Sequence, residues 1–248
     1  MSQLALSLLA GVSARHLSYM ETGRARPSRE MVLLLAQALE MRLRERNAFL
    51  QAAGFAAMYG ETPLSAAPMS PVRDAIDVLL QGTEPNPTFV MNRRADVVDK
   101  NDTAQWLLET FNLDHTAFAP TYNIGKLLVS PKGDRAFIEN WAEVARPALT
   151  RLKRDLGGVH ARDSADEELL SMISAALMDL GDAPPSQEAD PLVVPVRFRR
   201  DGLALNLFST VTTLGRARDV TLEELRIEMF FPADEPSKRV LESRRPTD

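Results

Sequence analysis

The sequence has no cysteine. A disulfide framework and a thiolate metal site are therefore excluded, and a cytoplasmic setting suits the chain. No apolar run approaches the roughly 18 residues a membrane span needs, so no membrane partner is expected. The N-terminus shows no basic stretch followed by an apolar core and a cleavage site, so no secretory signal is expected. Histidine is scarce, with three among 248 residues. His16, His115 and His160 have no i, i+4 partner, which argues against a zinc site. There is no G-x-S-x-G and no phosphate-cradling glycine loop. With no nucleophile–base pair to build on, neither an enzyme nor an obligatory cofactor is expected. The run DSADEE at Asp163–Glu168 reads as a solvated helix start, where carboxylates favour the dipole.

What is present fits a folded, largely helical protein: 45% apolar and 25% charged residues. The net charge is −5, but its distribution says more than its sum. Residues 1–62 hold seven Arg and five Glu, a net +2, so the remainder carries −7. Arg24, Arg26 and Arg29 lie close together around Pro27. A local basic patch on an acidic protein suits nucleic acid, because only the contact face must neutralise phosphates.

The first 55 residues read as short helices. Ser2 caps one running to Ala10, and Gly11 breaks it. Ser13 caps a second over 14–21. Pro27-Ser28 opens a third, with Met31, Leu34, Leu35, Ala38 and Leu39 at helical spacing. A fourth runs from Leu43 to Ala53. Residues 56–70 read as a strap and linker. From 71 the pattern changes. A helix near Pro71–Gly82 precedes short strands at TFVMN and ADVVDK, joined by an Arg93-Arg94 turn. NDTAQWLLETF is a helix capped by Asn101 or Asp102. Two longer helices are expected at 134–156 and 164–180, then a Pro-rich loop. VVPVRFRR and LALNLFSTVTT flank Asp201-Gly202, a hairpin signal. LRIEMFF alternates, with Leu225, Ile227, Met229 and Phe231 opposite Arg226 and Glu228. Residues 236–248 read as a frayed tail. The fold class is therefore α+β: an all-α domain over 1–55, then a domain over 71–235. The second has a five-stranded antiparallel sheet with helices on one face.

Residues 2–28 have the parts of a helix-turn-helix. Ser7 is small enough for close helix approach, and Gly11 makes the turn at no steric cost. Leu6, Ala10, Val12, Leu17 and Met20 are spaced to lock the two helices. The second helix starts with short polar residues able to enter a major groove. Ser13, Ala14, Arg15, His16, Ser18 and Tyr19 are the candidate readers. Arg15 can fork onto a guanine edge, and Ala14 can meet a thymine methyl. Gln3, Arg24 and Arg26 are candidates for phosphate contact, which fixes register without reading sequence. One such head covers a half-site, so a homodimer on a palindromic double-stranded operator is expected.

SQLALSLLAGVSARHLSYMETGRARPS closely resembles the XRE class, which includes lambdoid phage repressors and Cro. Its Gly-Val-Ser turn, its Glu21-x-Gly23 ending and its Arg-Pro-Ser exit match; Ser7 stands where Ala is usual. Domains of that class have a helix before Ser2, with no counterpart here. Its absence would leave Leu4, Leu8 and Leu35 partly bare. The expectation is that Met1 is an internal methionine or that the chain was trimmed. GFAAMYGETPL, ENWAEVARPAL and STVTTLGRARDVTLEELRIEMFFPADE resemble the MmyB-like regulators, which join an XRE-type head to a PAS-like ligand-binding domain. The resemblance spans Ser2 to about Glu235. It implies cytoplasmic, nucleoid-associated transcription regulation through a small-molecule sensor. The favoured ligand class is a fatty acid or similar apolar small molecule. Asn101 also sits where PAS domains often place an Asn.

A cavity between the sheet and the helices draws its candidates from large side chains: Phe89, Met91, Val98, Trp106, Leu128, Phe137, Asn140, Trp141, Phe198, Leu207, Phe208 and Phe230. Asn140-Trp141 is the favoured pair, since an indole beside a polar neighbour suits a ligand with an apolar body and one polar end. Strand parity leaves open whether Leu207 or Phe208 faces inward. The competing reading is a second domain that only dimerises or binds a partner protein, with no small-molecule ligand. The first reading requires a cavity and the second a filled core.

Overall fold

A computed structural model of the chain describes residues 1–112, 122–157, 163–181 and 193–245. His115, His160 and most of the Pro-rich loop lie outside the described residues. The chain divides into two compact units. Among the described residues, the first comprises 1–62 and 215–223.

The first unit begins with α1 (Gln3–Ala10), where the Ser2 hydroxyl accepts the Ala5 N–H and Gly11 at φ 64° closes the helix. That left-handed backbone is free for glycine and strained for other residues. α2 (Ala14–Glu21) is capped by Ser13, which accepts the His16 N–H. α3 (Arg29–Ala38) is capped by Ser28 through Met31 N–H. α4 (Leu43–Ala52) closes the set. Ala10, Leu17 and Leu35 form the buried centre, with Leu6, Val12, Met20 and Phe49 packed around it. Leu4 and Leu8 are 63% and 74% exposed, as expected, but Leu35 is only 6% exposed. Its partners in the centre cover it, so of these three only Leu4 and Leu8 are bare.

After α4 the chain is held along Asn47. Its Oδ1 accepts from Met58 N–H at 2.9 Å and Tyr59 N–H at 3.0 Å, and its Nδ2 donates to Tyr59 C=O at 2.8 Å. The expected strap is thus partly built into the first unit.

The second unit opens with α5 (Ser70–Gly82). Its sheet contains β1 (Thr88–Met91), β2 (Val97–Lys100), β3 (Val196–Arg200), β4 (Leu203–Thr212) and β5 (Arg226–Pro232). The order is β2-β1-β5-β4-β3 and every pairing is antiparallel. Asp201 and Gly202, at φ 48° and 81°, make the β3–β4 hairpin turn. Asn101 caps α6 (Asp102–Thr110) through Ala104 N–H at 2.9 Å. The same Oδ1 accepts Thr88 N–H at 3.0 Å, which pins the start of β1.

α7 (Ile124–Val129), α8 (Trp141–Leu156) and α9 (Ser164–Asp179) contribute to one core with the sheet. The helix expected from 134 starts later, at Trp141. Residues 137–139 instead bond to the edge strand β3: Glu139 N–H donates to Arg197 C=O and Arg199 N–H to Phe137 C=O, both at 2.8 Å. The tail also differs from expectation. α10 (Val220–Glu224) precedes β5, and α11 (Glu235–Glu242) follows it, capped by Asp234 through Ser237 N–H. Leu241 on α11 is buried in the core, so this segment is docked rather than frayed.

Candidate functional site

The first unit offers a polar helix face. Leu17 points inward and leaves Ser13, Arg15 and His16 exposed, with Ala14, Ser18 and Tyr19 half-buried. Arg15 is braced on its own helix: Nε and Nη2 donate to Tyr19 Oη at 3.0 and 2.9 Å, and Cζ lies 5.3 Å from the ring centroid. The i, i+4 spacing makes this pair meet, and it aims the guanidinium along the face. Arg24 and Arg26 are exposed in the following loop. The loop is ordered by Arg24 N–H and Ala25 N–H, which both donate to Tyr19 C=O. Gln3 pairs with Glu21, joining the start of α1 to the end of α2.

The second unit holds a cavity of about 410 Å³ between the sheet and α6, α7 and α8, open to solvent past Val194 and Val211. That size falls within the usual range for small-molecule sites. Phe89, Met91, Leu128, Phe198 and Phe230 line it, together with Leu107, Leu108, Ile138 and Leu149. The remaining expected residues lie elsewhere. Val98 is 44% exposed on the edge strand. Trp106 lies under Arg244, with Cζ 4.6 Å from its ring centroid. Phe137 stacks against Arg200 and meets Phe111. Leu207 faces the core but does not reach the cavity. Phe208 has the opposite parity and stacks on Phe231 at 5.7 Å.

The favoured Asn140-Trp141 pair builds the wall rather than lining it. Asn140 Nδ2 donates to Pro195 C=O at 2.8 Å, and its Oδ1 accepts Arg197 N–H at 3.0 Å. Trp141 Nε1 donates to Leu128 C=O at 2.7 Å, with Arg135 Cζ 4.1 Å from the indole centroid. Asn140 Nδ2 also donates to Glu143 at 3.0 Å, so its one link to the cavity lining runs through that carboxylate.

The cavity is polar on one side. Arg226, Glu228 and Phe230 of β5 line it, as do Ser209 and Val211 of β4. Ser209 Oγ donates to Glu228 at 2.7 Å. On α8, Glu143, Pro147, Arg151 and Asp155 recur every four residues along the lining face. Pro147 has no N–H, so it removes the donor that would meet the Glu143 carbonyl. The register sets Met91 opposite Arg226 and Val211 opposite Glu228. The charged wall therefore lies toward the sheet end where β4 leaves for β5.

Arg93, at that end, also lines the cavity. Its Nη2 and the Arg94 Nε each reach Asp166 at 2.6 Å, and Arg94 also pairs with Asp163. Asp166 is fully buried. Burial alone would raise its pKa, but hydrogen bonds from Arg93 and Arg94 hold the carboxyl below the ordinary aspartate range. Asp163 is also lowered, first by accepting the Asp166 N–H and then by Arg94. The run read as a solvated helix start thus contains one buried anchor.

The MmyB-like transcription regulator ligand binding domain family matches residues 72–243, and a helix-turn-helix family matches residues 1–46. The chain is an MmyB-like transcription regulator. As such it joins a DNA-binding head to a ligand-binding domain. The PAS domain of Bordetella pertussis BvgS is a solved structure with 14% identity and a TM-score of 0.31, covering 70% of this chain and 95% of that one. No curated protein matches the chain. Among the described residues, no helix is long and apolar enough to cross a membrane.

Sequence reasoning about this MmyB-like regulator missed the charged cavity residues. Arg226 and Glu228 look solvent-facing in a strand whose other side is Ile227, Met229 and Phe231. Ile227 and Val90 are buried as well, and β1 is buried along its whole length, so the face opposite the cavity is also covered there. Alternation then cannot say which face holds the cavity. The one available signal is Phe230, which shares the parity of Arg226 and Glu228 and breaks the polar side of the pattern.

Proposed function

We propose that this regulator reads a DNA duplex through α2 and that a small amphiphile in the second unit alters that reading. Phe89, Leu107, Leu149 and Phe198 suit an apolar body, and the charged wall suits one polar end. A fatty acid or similar molecule has this form. The observation that carries the reading is the cavity itself. A domain that only dimerised has no need of a recess of this size lined mainly by apolar side chains. On the DNA, Arg15 reads a base edge while Arg24 and Arg26 hold phosphates. Two copies would place their α2 helices in successive major grooves of a palindrome, about 34–36 Å apart.

The test is an anisotropy titration of a labelled duplex, selected by the protein from a random pool, with and without myristate. Ala148→Phe puts a ring into the cavity from α8. We expect myristate to change DNA affinity in the wild type and to leave Ala148→Phe unmoved. An equal response in both proteins would remove the cavity from the mechanism, and no response in either would remove the fatty-acid class.

A further inference from the structure

We propose that residues 215–223, through Asp219 and Glu223, carry the state of the cavity to the DNA-reading unit. This rests on the reading of the cavity as a ligand site and names its route of regulation. Strands β4 and β5 wall the cavity and stay paired as far as Thr212 and Ile227. The chain between them does not form a free hairpin loop. Residues 215–223 belong to the first unit.

Within that unit the segment is fastened at three places. Val220 N–H donates to Gly60 C=O at 2.8 Å, beside a parallel bridge between Gly60 and Asp219. Asp219 accepts from Thr62 N–H at 3.1 Å and from Thr62 Oγ1 at 2.8 Å, and its other oxygen accepts Thr221 N–H at 2.9 Å. The approach is tight, since a Cβ at Gly60 would stand 3.1 Å from Asp219 Oδ2. Glu223 Oε2 accepts Leu43 N–H at 2.7 Å, one of the first-turn donors of α4 that the helix cannot satisfy itself.

The link is short at both ends. Val211, a cavity residue, is four positions before Gly215, and Arg226, another, is three positions after Glu223. So few bonds leave little slack to absorb a shift of either strand. On the reading side, α4 carries Phe49 into the core that seats Leu17 of α2. A ligand that displaces Val211 or Arg226 therefore pulls on the α4 N-terminus, and α4 packs against the core under the recognition helix. Asp219 and Glu223 act as positioning residues, because they hold the segment that moves and touch neither DNA nor ligand.

The route works in both directions, because coupling between two binding events is reciprocal. DNA must then disturb the cavity strands even when no ligand is present. The experiment is amide hydrogen exchange on the full chain, free and saturated with the selected duplex. Asp219→Ala removes the carboxylate clamp. A second variant inserts about six Gly/Ser residues between Leu214 and Gly215, which keeps the clamp and slackens the β4 side.

In the wild type, DNA is expected to change exchange across 203–212 and 226–232 by about fivefold or more, the lower end of ordinary coupling. Both variants should bind the duplex; Asp219→Ala should lose that change in both strands, and the insertion variant should lose it across 203–212, the strand it slackens. Unaltered exchange in the wild-type strands, or the same change across 203–212 in the insertion variant, overturns the proposal. A parallel myristate titration separates the two ideas. If myristate does not bind while DNA still moves the strands, the ligand class fails and the route stands.

Discussion

Replacing Asp166 with Ala should cost the second unit about 3–5 kcal/mol, the usual penalty for breaking a buried ion pair from one side. Its side chain has no exposed surface, and its two oxygens each hold a guanidinium at 2.6 Å. Arg93 and Arg94 are themselves only 10% and 26% exposed; Arg94 would keep Asp163 and Arg93 would keep Glu224 at 3.9 Å, but the two donors now 2.6 Å from Asp166 would lose their acceptor. Urea unfolding followed by tryptophan emission isolates the effect, because the two tryptophans, Trp106 and Trp141, both lie in this unit. The pH dependence follows from the sign of the shift. Asp166 has a lowered pKa in the folded protein, so its contribution is complete above the unfolded value of about 3.9. It is lost as pH falls through the folded value. The gap between wild type and Asp166→Ala should hold steady from neutral pH to about 5 and close in acid below about 4. A gap under about 1 kcal/mol at neutral pH, or one that widens in acid, would refute the burial argument.

The reading head and the scaffold give further expectations. Arg15→Ala should cost about 1–3 kcal/mol and relax preference at one base position, whereas Arg24→Ala should weaken all duplexes alike and lower the salt slope by about one. Titrations over several salt concentrations check both, and identical behaviour of the two variants would count against their separate roles. Gly133→Ala should destabilise the second unit by about 1–3 kcal/mol in the same urea assay, since its Cβ would come 2.4 Å from the Leu127 carbonyl oxygen. Asp234→Ala removes the cap of α11 and should cost about 1 kcal/mol, with faster amide exchange around Leu241; unchanged exchange would mean the helix is held by packing alone.

Where local chemistry decides the outcome, the sequence was legible. Gly11, Ser13 and Ser28 mark helix ends because a left-handed turn and short polar caps have few alternatives. Asp201-Gly202 marks the hairpin for the same reason, and Asn101 marks the start of α6. Tertiary contact decided the rest. Residues 137–139 have helical composition, yet the open edge of β3 takes their backbone bonds. The charged tail hides α11, because only Leu241 and a few neighbours reach the core. Asp166 sits in an acidic run that looks wet, and only the fold brings Arg93 and Arg94 onto it. Of the twelve expected pocket residues, five line the cavity: Phe89, Met91, Phe198 and Phe230 share the inward strand parity, and Leu128 faces them from α7. The polar wall escaped notice because Ile227 is buried on the opposite face, so the alternation of β5 does not mark which side faces the cavity.

Native mass spectrometry of the gently purified full chain tests the ligand-binding claim most directly. It reads subunit mass, assembly and bound molecules together. The expected result is one adduct per chain, retained natively and lost on denaturation, with myristate able to replace it or to fill an empty chain at the same stoichiometry. A chain that stays bare as purified and after myristate addition, while Ala148→Phe behaves identically, would contradict the assignment of the cavity to an apolar ligand.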